Sequence, residues 1–153
     1  MGAILFWLRG NWFSLLQTLG IIGGLIFTAI SIRQATNARK ASDLLTLTEQ
    51  HRELWNQVYS RPGLDRIFAA SVDLVARPVT VAEAWFMNEV IVHFHTGWQL
   101  TCRGSLLALD AVKADVQGFF SLPIPKAVWE QTKSARDPKF VCFIEDCLRG
   151  KKA

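Results

Sequence analysis

A long uncharged stretch near the N-terminus constrains the fold of this chain most. No residue from Trp12 to Ile32 is charged, and the run reads WFSLLQTLGIIGGLIFTAISI. As a helix rising about 1.5 Å per residue it measures about 31 Å, close to the ~30 Å hydrocarbon core of a bilayer. The alternatives are a buried core helix and a signal peptide. A signal peptide would have a shorter apolar run and a small-x-small cleavage site. The stretch therefore predicts a transmembrane helix over residues 11–33.

The charges around this stretch predict its orientation. Four cations and no acidic residue precede Asp43, namely Arg9, Arg33, Arg39 and Lys40. Removing these four from the 17 basic residues leaves 13, which equals the number of acidic residues. Because three of the four cations follow the apolar run, the positive-inside rule predicts an outer N-terminus and a cytoplasmic C-terminal domain in the cell (inner) membrane. The net charge of +4 is thus mainly a topology signal, and we expect a lipid bilayer partner and no nucleic acid.

Cysteine use agrees with a reducing compartment. The chain has three cysteines, an odd number, at Cys102, Cys142 and Cys147. Their spacing matches neither a disulfide framework nor a CxxC zinc motif. We expect buried free thiols, no metal site and no cofactor.

The remaining pattern is helical throughout and predicts an all-α fold with a cytoplasmic domain of about four to five helices. Neither glycine nor proline occurs between Gly24 and Pro62, so the transmembrane helix should continue without a break from about Asn11 to Ser60. A 3-4 spacing of residues in its last part forms an a/d seam, made of Leu44, Leu47, His51, Leu54 and Val58. This seam could bind neighbouring copies or the chain's own domain.

The helices that follow are predicted from their start and stop residues. A shorter helix is expected over 64–75. A capping box at Thr80 and Glu83 should open a buried central helix that Gly104 ends. Ser105 is predicted to cap the next helix, which would run to about residue 120. An extended connector should then precede a helix that starts at Pro125 and runs to about Ser134. A final helix is expected over 138–148, capped by Asp137. The core should be filled by Trp55, Trp85, Trp98 and Trp129.

The predicted parts are therefore an N-terminal flank (1–10), a transmembrane helix (11–33), a cytoplasmic extension of that helix (34–60), a helical cytoplasmic domain (61–148) and a basic tail (149–153).

Small and polar residues follow one face of the first helix and predict self-association. Gly20 and Gly24 form a small-xxx-small pattern, which permits close approach of two helices in lipid. A neighbouring stripe continues this face past the membrane. The predicted oligomer interface comprises Gln17, Gly20, Gly24, Thr28, Ser31, Ala35 and Ala38. A lone helix in lipid does not need such a face, whereas packed copies or a pore would use it.

No catalytic constellation is visible in the sequence. His93 and His95 lie about 200° apart on the central helix, so they cannot hold one metal from the same face. We expect both to be hydrogen-bonded core residues, with Glu89 paired to His93 at i, i+4. Phosphate loops, hydrolase elbows and paired catalytic carboxylates are missing from the sequence. The residues therefore favour a protein that is not an enzyme.

Three blocks carry a resemblance to known proteins: HRELWNQVYSRP (51–62), HFHTGW (93–98), and FFSLPIPKAVW with DPKFVCFIE (119–129 and 137–145). Together with the preceding membrane helix, the chain resembles uncharacterised bacterial single-span membrane proteins with a small helical cytoplasmic domain. More remotely it is similar to small transmembrane accessory proteins of CRISPR systems. Some of those form membrane pores and carry a degenerate, HEPN ribonuclease-like domain.

The HEPN motif pairs an arginine with a histidine four to six residues later on one helix. Asn88 and His93 have that spacing here, with asparagine in place of arginine, so the cation for a phosphate is missing. Three hypotheses follow. The first is a self-assembling membrane scaffold, signalling component or pore, with antiphage defence as a candidate setting. The second is a membrane-tethered HEPN-like ribonuclease. The third is a monomeric anchor that recruits a cytoplasmic protein partner.

Overall fold

The computed structural model describes residues 2–104 and 108–150. The described residues form five α-helices and no strand, which confirms the all-α prediction. The α-helices are α1 (Gly2–Ser60), α2 (Val81–Cys102), α3 (Leu109–Phe120), α4 (Pro123–Thr132) and α5 (Pro138–Leu148), with short 3-10 helices at Asp65–Phe68 and Lys133–Ala135. The chain divides into two compact units, Met1–Ala41 and Ser42–Ala153.

Helix α1 begins earlier than predicted and ends where predicted. It starts at Gly2 rather than at Asn11, because the first ten residues contain no proline and are mostly good helix formers. It ends at Ser60, since Pro62 lacks a backbone N–H and cannot extend the helix. Gly63 then adopts a φ of 98°, a left-handed conformation that glycine reaches without a steric penalty.

The first unit carries the apolar surface that the sequence predicts. Among the described residues, one helix is long and apolar enough to cross a membrane. Its most apolar window has a mean hydropathy of 2.0, and none of that window is buried. A core helix of a soluble protein would instead cover such a surface with other elements.

The prediction of a helix over 64–75 is wrong. Only the 3-10 helix Asp65–Phe68 forms, and Ala69 turns to extended geometry with ψ 129°. Asp73 explains part of the failure, because its Oδ1 accepts hydrogen bonds from the backbone N–H groups of Val75 (2.9 Å) and Ala76 (3.0 Å). Such a side-chain turn competes with helical hydrogen bonding.

A buried ion pair holds this non-helical segment on the domain. Arg66 Nη1 lies 3.3 Å from Glu83 Oε1, and the Glu83 side chain is buried. The same guanidinium donates through Nη2 to the carbonyl oxygens of Arg77 and Pro78. Arg66 therefore ties the end of the segment to α2.

Both predicted ends of α2 are confirmed. Glu83 N–H donates to Thr80 Oγ1 at 3.2 Å, and Thr80 N–H donates to Glu83 Oε2 at 2.7 Å, which completes the capping box. At the other end the helix stops at Cys102, and Gly104 has a φ of 73°. Backbone donors that helix geometry leaves unpaired are thus satisfied by side chains.

The next two helices depart from prediction at their starts. Helix α3 begins at Leu109, later than expected, and Ser105 lies outside the described residues. Helix α4 begins at Pro123, so the predicted extended connector is wrong, and it ends at Thr132. Pro123 and Pro125 fit the first turn because the first N–H groups of a helix have no intrahelical partner.

The final helix begins as predicted. Asp137 is the N-cap of α5, and its Oδ1 accepts from the backbone N–H groups of Lys139 (2.7 Å) and Phe140 (3.3 Å). Pro138 occupies the first turn, and the helix ends at Leu148. An N-cap of this kind stabilises a helix by about 1 kcal/mol.

The core of the second unit lies among α2–α5. Trp129 is fully buried in this core, and the partly buried Trp98 packs against the core cluster. Trp55 is partly exposed, and Trp85 is 68% exposed, so the expectation that Trp85 fills the core is wrong. The fully or nearly fully buried apolar residues are Leu64, Ile67, Phe86, Met87, Val90, Ile91, Val116, Phe120, Ile124, Val128, Trp129, Phe140, Ile144 and Cys147.

Polar contacts at the core edge join α4 to α5. Glu145 Oε1 accepts from Trp129 Nε1 at 3.0 Å and from Lys133 Nζ at 3.0 Å. These two donors hold the pKa of Glu145 below its ordinary value, with the Trp129 bond as the larger cause. The charged form of Glu145 is therefore the one that fits the fold.

The cysteines only partly match the expectation of buried thiols. Cys147 is buried, and burial raises the pKa of its thiol. Cys102 and Cys142 are exposed, which corrects the prediction for both. Their exposure is consistent with positions at the end of α2 and on the outer side of α5.

Candidate functional site

The predicted oligomer interface lies on the first unit, on helix α1. Ser31 is partly covered, and the other members of the face, Gln17, Gly20, Gly24, Thr28, Ala35 and Ala38, are exposed. Thr28 Oγ1 donates to the carbonyl oxygen of Gly24 at 2.8 Å, so this hydroxyl is satisfied within the helix.

The glycines of this face are not required by contacts within the chain. A Cβ atom added at Gly20 or at Gly24 would meet no atom within 4 Å, because both positions open onto free space. Both residues are exposed, as are Ala35 and Ala38 further along the face. The reason for small residues here must therefore come from outside the chain or from helix chemistry alone.

The a/d seam of α1 lies inside the second unit and faces that unit's own helices. All five of its residues, Leu44, Leu47, His51, Leu54 and Val58, line a groove that α2 and α3 complete. Leu47 Cδ2 lies 3.8 Å from where a Cβ at Gly97 would stand, which places it against the middle of α2. The seam therefore contacts the chain's own domain, and binding of neighbouring copies along it stays a prediction.

We call this groove the histidine groove, because two histidines lie among its lining residues. Its volume is about 510 Å³. Its walls are mostly aliphatic and aromatic, with His51, His93, Thr48 and Asp115 as polar members. The other lining residues are Leu44, Leu47, Leu54, Trp55, Val58, Phe68, Phe86, Val90, Phe94, Gly97, Val112 and Phe119.

Two histidines meet across the groove and connect α1 to α2. His51 Nδ1 lies 3.4 Å from His93 Nε2, and the two ring centroids are 5.4 Å apart. On the other side of His51, Trp55 Nε1 donates to His51 Nε2 at 2.8 Å. The three side chains therefore form one hydrogen-bonded chain, Trp55 to His51 to His93.

The hydrogen-bond donors among Trp55, His51 and His93 determine which ring nitrogens carry a proton. An indole N–H can only donate, so His51 Nε2 must be the unprotonated nitrogen that accepts. A neutral His51 then carries its proton on Nδ1 and donates to His93 Nε2. His93 in turn keeps its proton on Nδ1, which is buried and has no hydrogen-bond partner. The hydrogen bonds among Trp55, His51 and His93 are therefore consistent with two neutral imidazole rings.

The surroundings of His93 favour this neutral form. Burial lowers the pKa of His93 below its ordinary value, and the neighbouring His51 lowers it further. Both effects oppose the imidazolium, since burial removes water and His51 brings a second positive charge when protonated. His93 pairs with His51 in the structure, not with Glu89 as predicted.

His95 belongs to a different environment. Its Nε2 lies 3.1 Å from Gln99 Nε2, one turn further along α2. Its ring stacks on Trp98 at 5.8 Å between centroids and lies 4.6 Å from Phe140. His95 is thus part of the packing between α2 and α5, and the two histidines serve different contacts.

A guanidinium reaches Asn88 from a distant part of the chain. Arg136, between α4 and α5, donates through Nη2 to Asn88 Oδ1. The sequence could not predict this cation, because the two residues are 48 positions apart. His93 lies five residues after Asn88, about 140° further around the helix, so the histidine and the guanidinium serve different faces of α2.

Among the residues that the structure describes, no cluster of three or more His, Cys, Asp or Glu side chains could hold a metal ion. Comparison of the chain with known protein families, with curated proteins and with solved structures finds no match.

Proposed function

We propose that this protein is a self-assembling, non-enzymatic membrane protein with a helical interaction domain. It would span the inner membrane once through α1, with the N-terminus outside and the second unit in the cytoplasm. Copies would pack through the small-residue face of α1 to form a scaffold, a signalling component or a pore. On the remote resemblance expected from the sequence, we propose antiphage defence as the setting.

The observation that carries the proposal is the exposed apolar surface of α1 together with its small-residue face. An apolar stretch with a mean hydropathy of 2.0 and no buried part needs a non-aqueous environment. Within lipid, apolar surface no longer drives helices together, so close packing and hydrogen bonds must do so. Gly20 and Gly24 leave the space that such packing uses.

A second exposed surface supports a role in protein contacts. Val81, Trp85 and Val92 are all exposed on α2, and their positions fall within about 40° of one another around the helix. Exposed apolar side chains gathered on one face of a helix are a surface that a protein partner could cover. This surface, which we call the outer α2 face, gives the second unit a place to bind a cytoplasmic protein partner.

The assembly proposal is tested by changing the shape of the face without adding charge to α1. Gly24→Ile adds a branched side chain where close approach is needed, and it should convert the oligomer to monomers. Ile26→Leu lies about 200° away and is the matched control, which should assemble like the wild type. Crosslinking and mass photometry of the three proteins in the same detergent measure the effect.

Two results would contradict the proposal. If Gly24→Ile assembles as well as the wild type, the interface lies elsewhere. If all three proteins are monomers, the protein is better described as a single anchor that recruits a partner.

The second candidate function is a membrane-tethered ribonuclease, and the Arg136–Asn88 contact is the observation in its favour. A cation beside the helix could bind a phosphate. The opposing argument is that His93 lies on another face and that its Nε2 is already occupied by His51. Cleavage of RNA by purified protein, abolished by His93→Ala with the fold retained, would favour this candidate over the first.

A further inference from the structure

We propose that the His51–His93 pair is a pH-sensitive latch, which holds the part of α1 after Ser42 against α2 near neutral pH and releases it on acidification. The inference concerns conformational control of the second unit and does not depend on how copies assemble. It rests on the geometry of the Trp55–His51–His93 chain and on the groove beside it.

The pair is placed to control the contact between these two helices. His51 lies in the middle of the a/d seam, between Leu47 and Leu54, and His93 lies in the middle of α2. Their rings form part of the wall of an open groove with a volume of about 510 Å³. Leu47 contacts the middle of α2 near Gly97, and the hydrogen bond at 3.4 Å adds a polar contact that joins α1 to α2 at the same level.

Protonation of His93 breaks this bond. With both rings neutral, His51 Nδ1–H donates to His93 Nε2, and Trp55 fixes that direction by donating to His51 Nε2. A proton on His93 Nε2 turns the acceptor into a second donor, so two N–H groups face each other. His51 could accept only by moving its own proton to Nε2, where the indole N–H of Trp55 already points.

Protonation of His51 alone has a smaller effect. The His51 ring is exposed, and an imidazolium at this position still donates through Nδ1 to His93. It loses the bond from Trp55, which lies within α1 and does not join the helices. Once His51 is charged, a second charge on His93 is repelled across the short distance between the rings. His93 is therefore the trigger and His51 its partner.

The other groups around the pair do not replace the lost bond. From α3, Asp115 is the remaining titratable residue that lines the groove, and it is exposed. The segment after α1 contributes the apolar residue Phe68 to the groove, and α2 contributes the apolar residues Phe86, Val90 and Phe94. Burial and His51 are the influences that lower the pKa of His93.

The direction of the pH effect follows from proton binding in the two states. When the latch is open, His93 meets water and binds a proton at the ordinary histidine pKa of about 6.5. When it is closed, His93 binds that proton only at lower pH. Below about pH 6.5 the open state therefore binds more protons, and the ratio of open to closed protein should rise about tenfold per pH unit until the lowered pKa is reached.

Pulsed EPR on the full chain in nanodiscs measures the opening. One spin label is attached to the exposed Cys102 at the end of α2, and the other to Thr46→Cys on the exposed side of α1. Cys142→Ser removes the other exposed thiol, while Cys147 is buried. Dilution with unlabelled protein suppresses distances between copies. We expect one narrow distance at pH 7.5 and a second, longer distance that grows as the pH falls to 5.5.

Three variants separate the latch from a general acid effect. His93→Gln keeps an acceptor near the Nε2 position and cannot be charged, so it should stay closed at both pH values. His95→Gln, also on α2 and partly buried, is the matched control and should open like the parent protein. His51→Asn keeps a donor near the Nδ1 position without a charge, so His93 should still open the latch, with its midpoint shifted to lower pH.

The proposal is overturned if the parent protein shows the same distance at both pH values. It is also overturned if His93→Gln opens as readily as the parent or if the midpoint of His51→Asn is unchanged. The His51→Asn experiment keeps the test decisive if His93→Gln does not fold.

Discussion

Trp85 and Trp129 have the same side chain and opposite surroundings. Trp129 is fully buried, packs edge to face on Phe120 and Phe140, and donates to Glu145. Trp85 is 68% exposed. Composition alone could not separate these two, since both lie on helices rich in apolar residues. What distinguishes them is which neighbouring helix covers each face.

This difference predicts unequal costs of truncation. Trp129→Ala should lower the free energy of unfolding of the second unit by about 3–5 kcal/mol, because it leaves a cavity and an unpaired partner. Trp85→Ala removes little buried surface, and its effect should stay within about 0.5 kcal/mol. Denaturant unfolding followed by circular dichroism compares the two. Equal destabilisation by both variants would mean that the outer α2 face is covered.

Helix ends are the elements that local sequence predicts best, and contacts between helices are those it predicts least. The caps at Thr80 and Asp137 depend on residues two or three positions apart, so the chemistry is visible in the sequence. The His51–His93 contact joins residues 42 positions apart, and nothing local indicates it. The small-residue face of α1 was readable as a pattern, but its partner lies outside the chain and stays a prediction.

Helix α3 offers a test of the capping argument. Its N-cap residue, Ala108, has extended geometry with φ −75° and ψ 123°, and its side chain makes no capping bond. Ala108→Asp should supply the missing acceptor and raise the free energy of unfolding by about 1 kcal/mol. Ala111→Asp, in the first turn but past the N-cap position, adds the same charge without a capping acceptor and should give a smaller gain. An equal gain from both would attribute the effect to charge rather than to capping.

At the scale of the whole molecule, the two units present different surfaces. The first exposes an apolar helix, and the second buries its apolar residues around Trp129. The cations after the apolar run predict that the second unit lies in the cytoplasm. The structure helps to test this prediction, because Cys102 and Cys142 are exposed and can react.

Topology is therefore measurable with a thiol reagent that cannot cross membranes. Applied to intact cells, the reagent should leave Cys102 and Cys142 unlabelled, and both should react once the membrane is opened. Cys147 is buried and should stay unreactive in the folded protein in either case. A C-terminal reporter active only on the cytoplasmic side provides an independent check. Labelling of intact cells would reverse the proposed orientation.

The histidine in the seam of α1 also determines where that helix can dock. A seam made only of Leu and Val could slide along α2 by one turn, about 5.4 Å, and find nearly equivalent apolar contacts. With His51 in the seam, only one register places Nδ1 opposite His93 Nε2. Any other register loses the hydrogen bond between the two helices, worth about 0.5–1.5 kcal/mol, while the bond from Trp55 to His51 within α1 is kept. The pair thereby selects a single alignment of two otherwise interchangeable apolar surfaces.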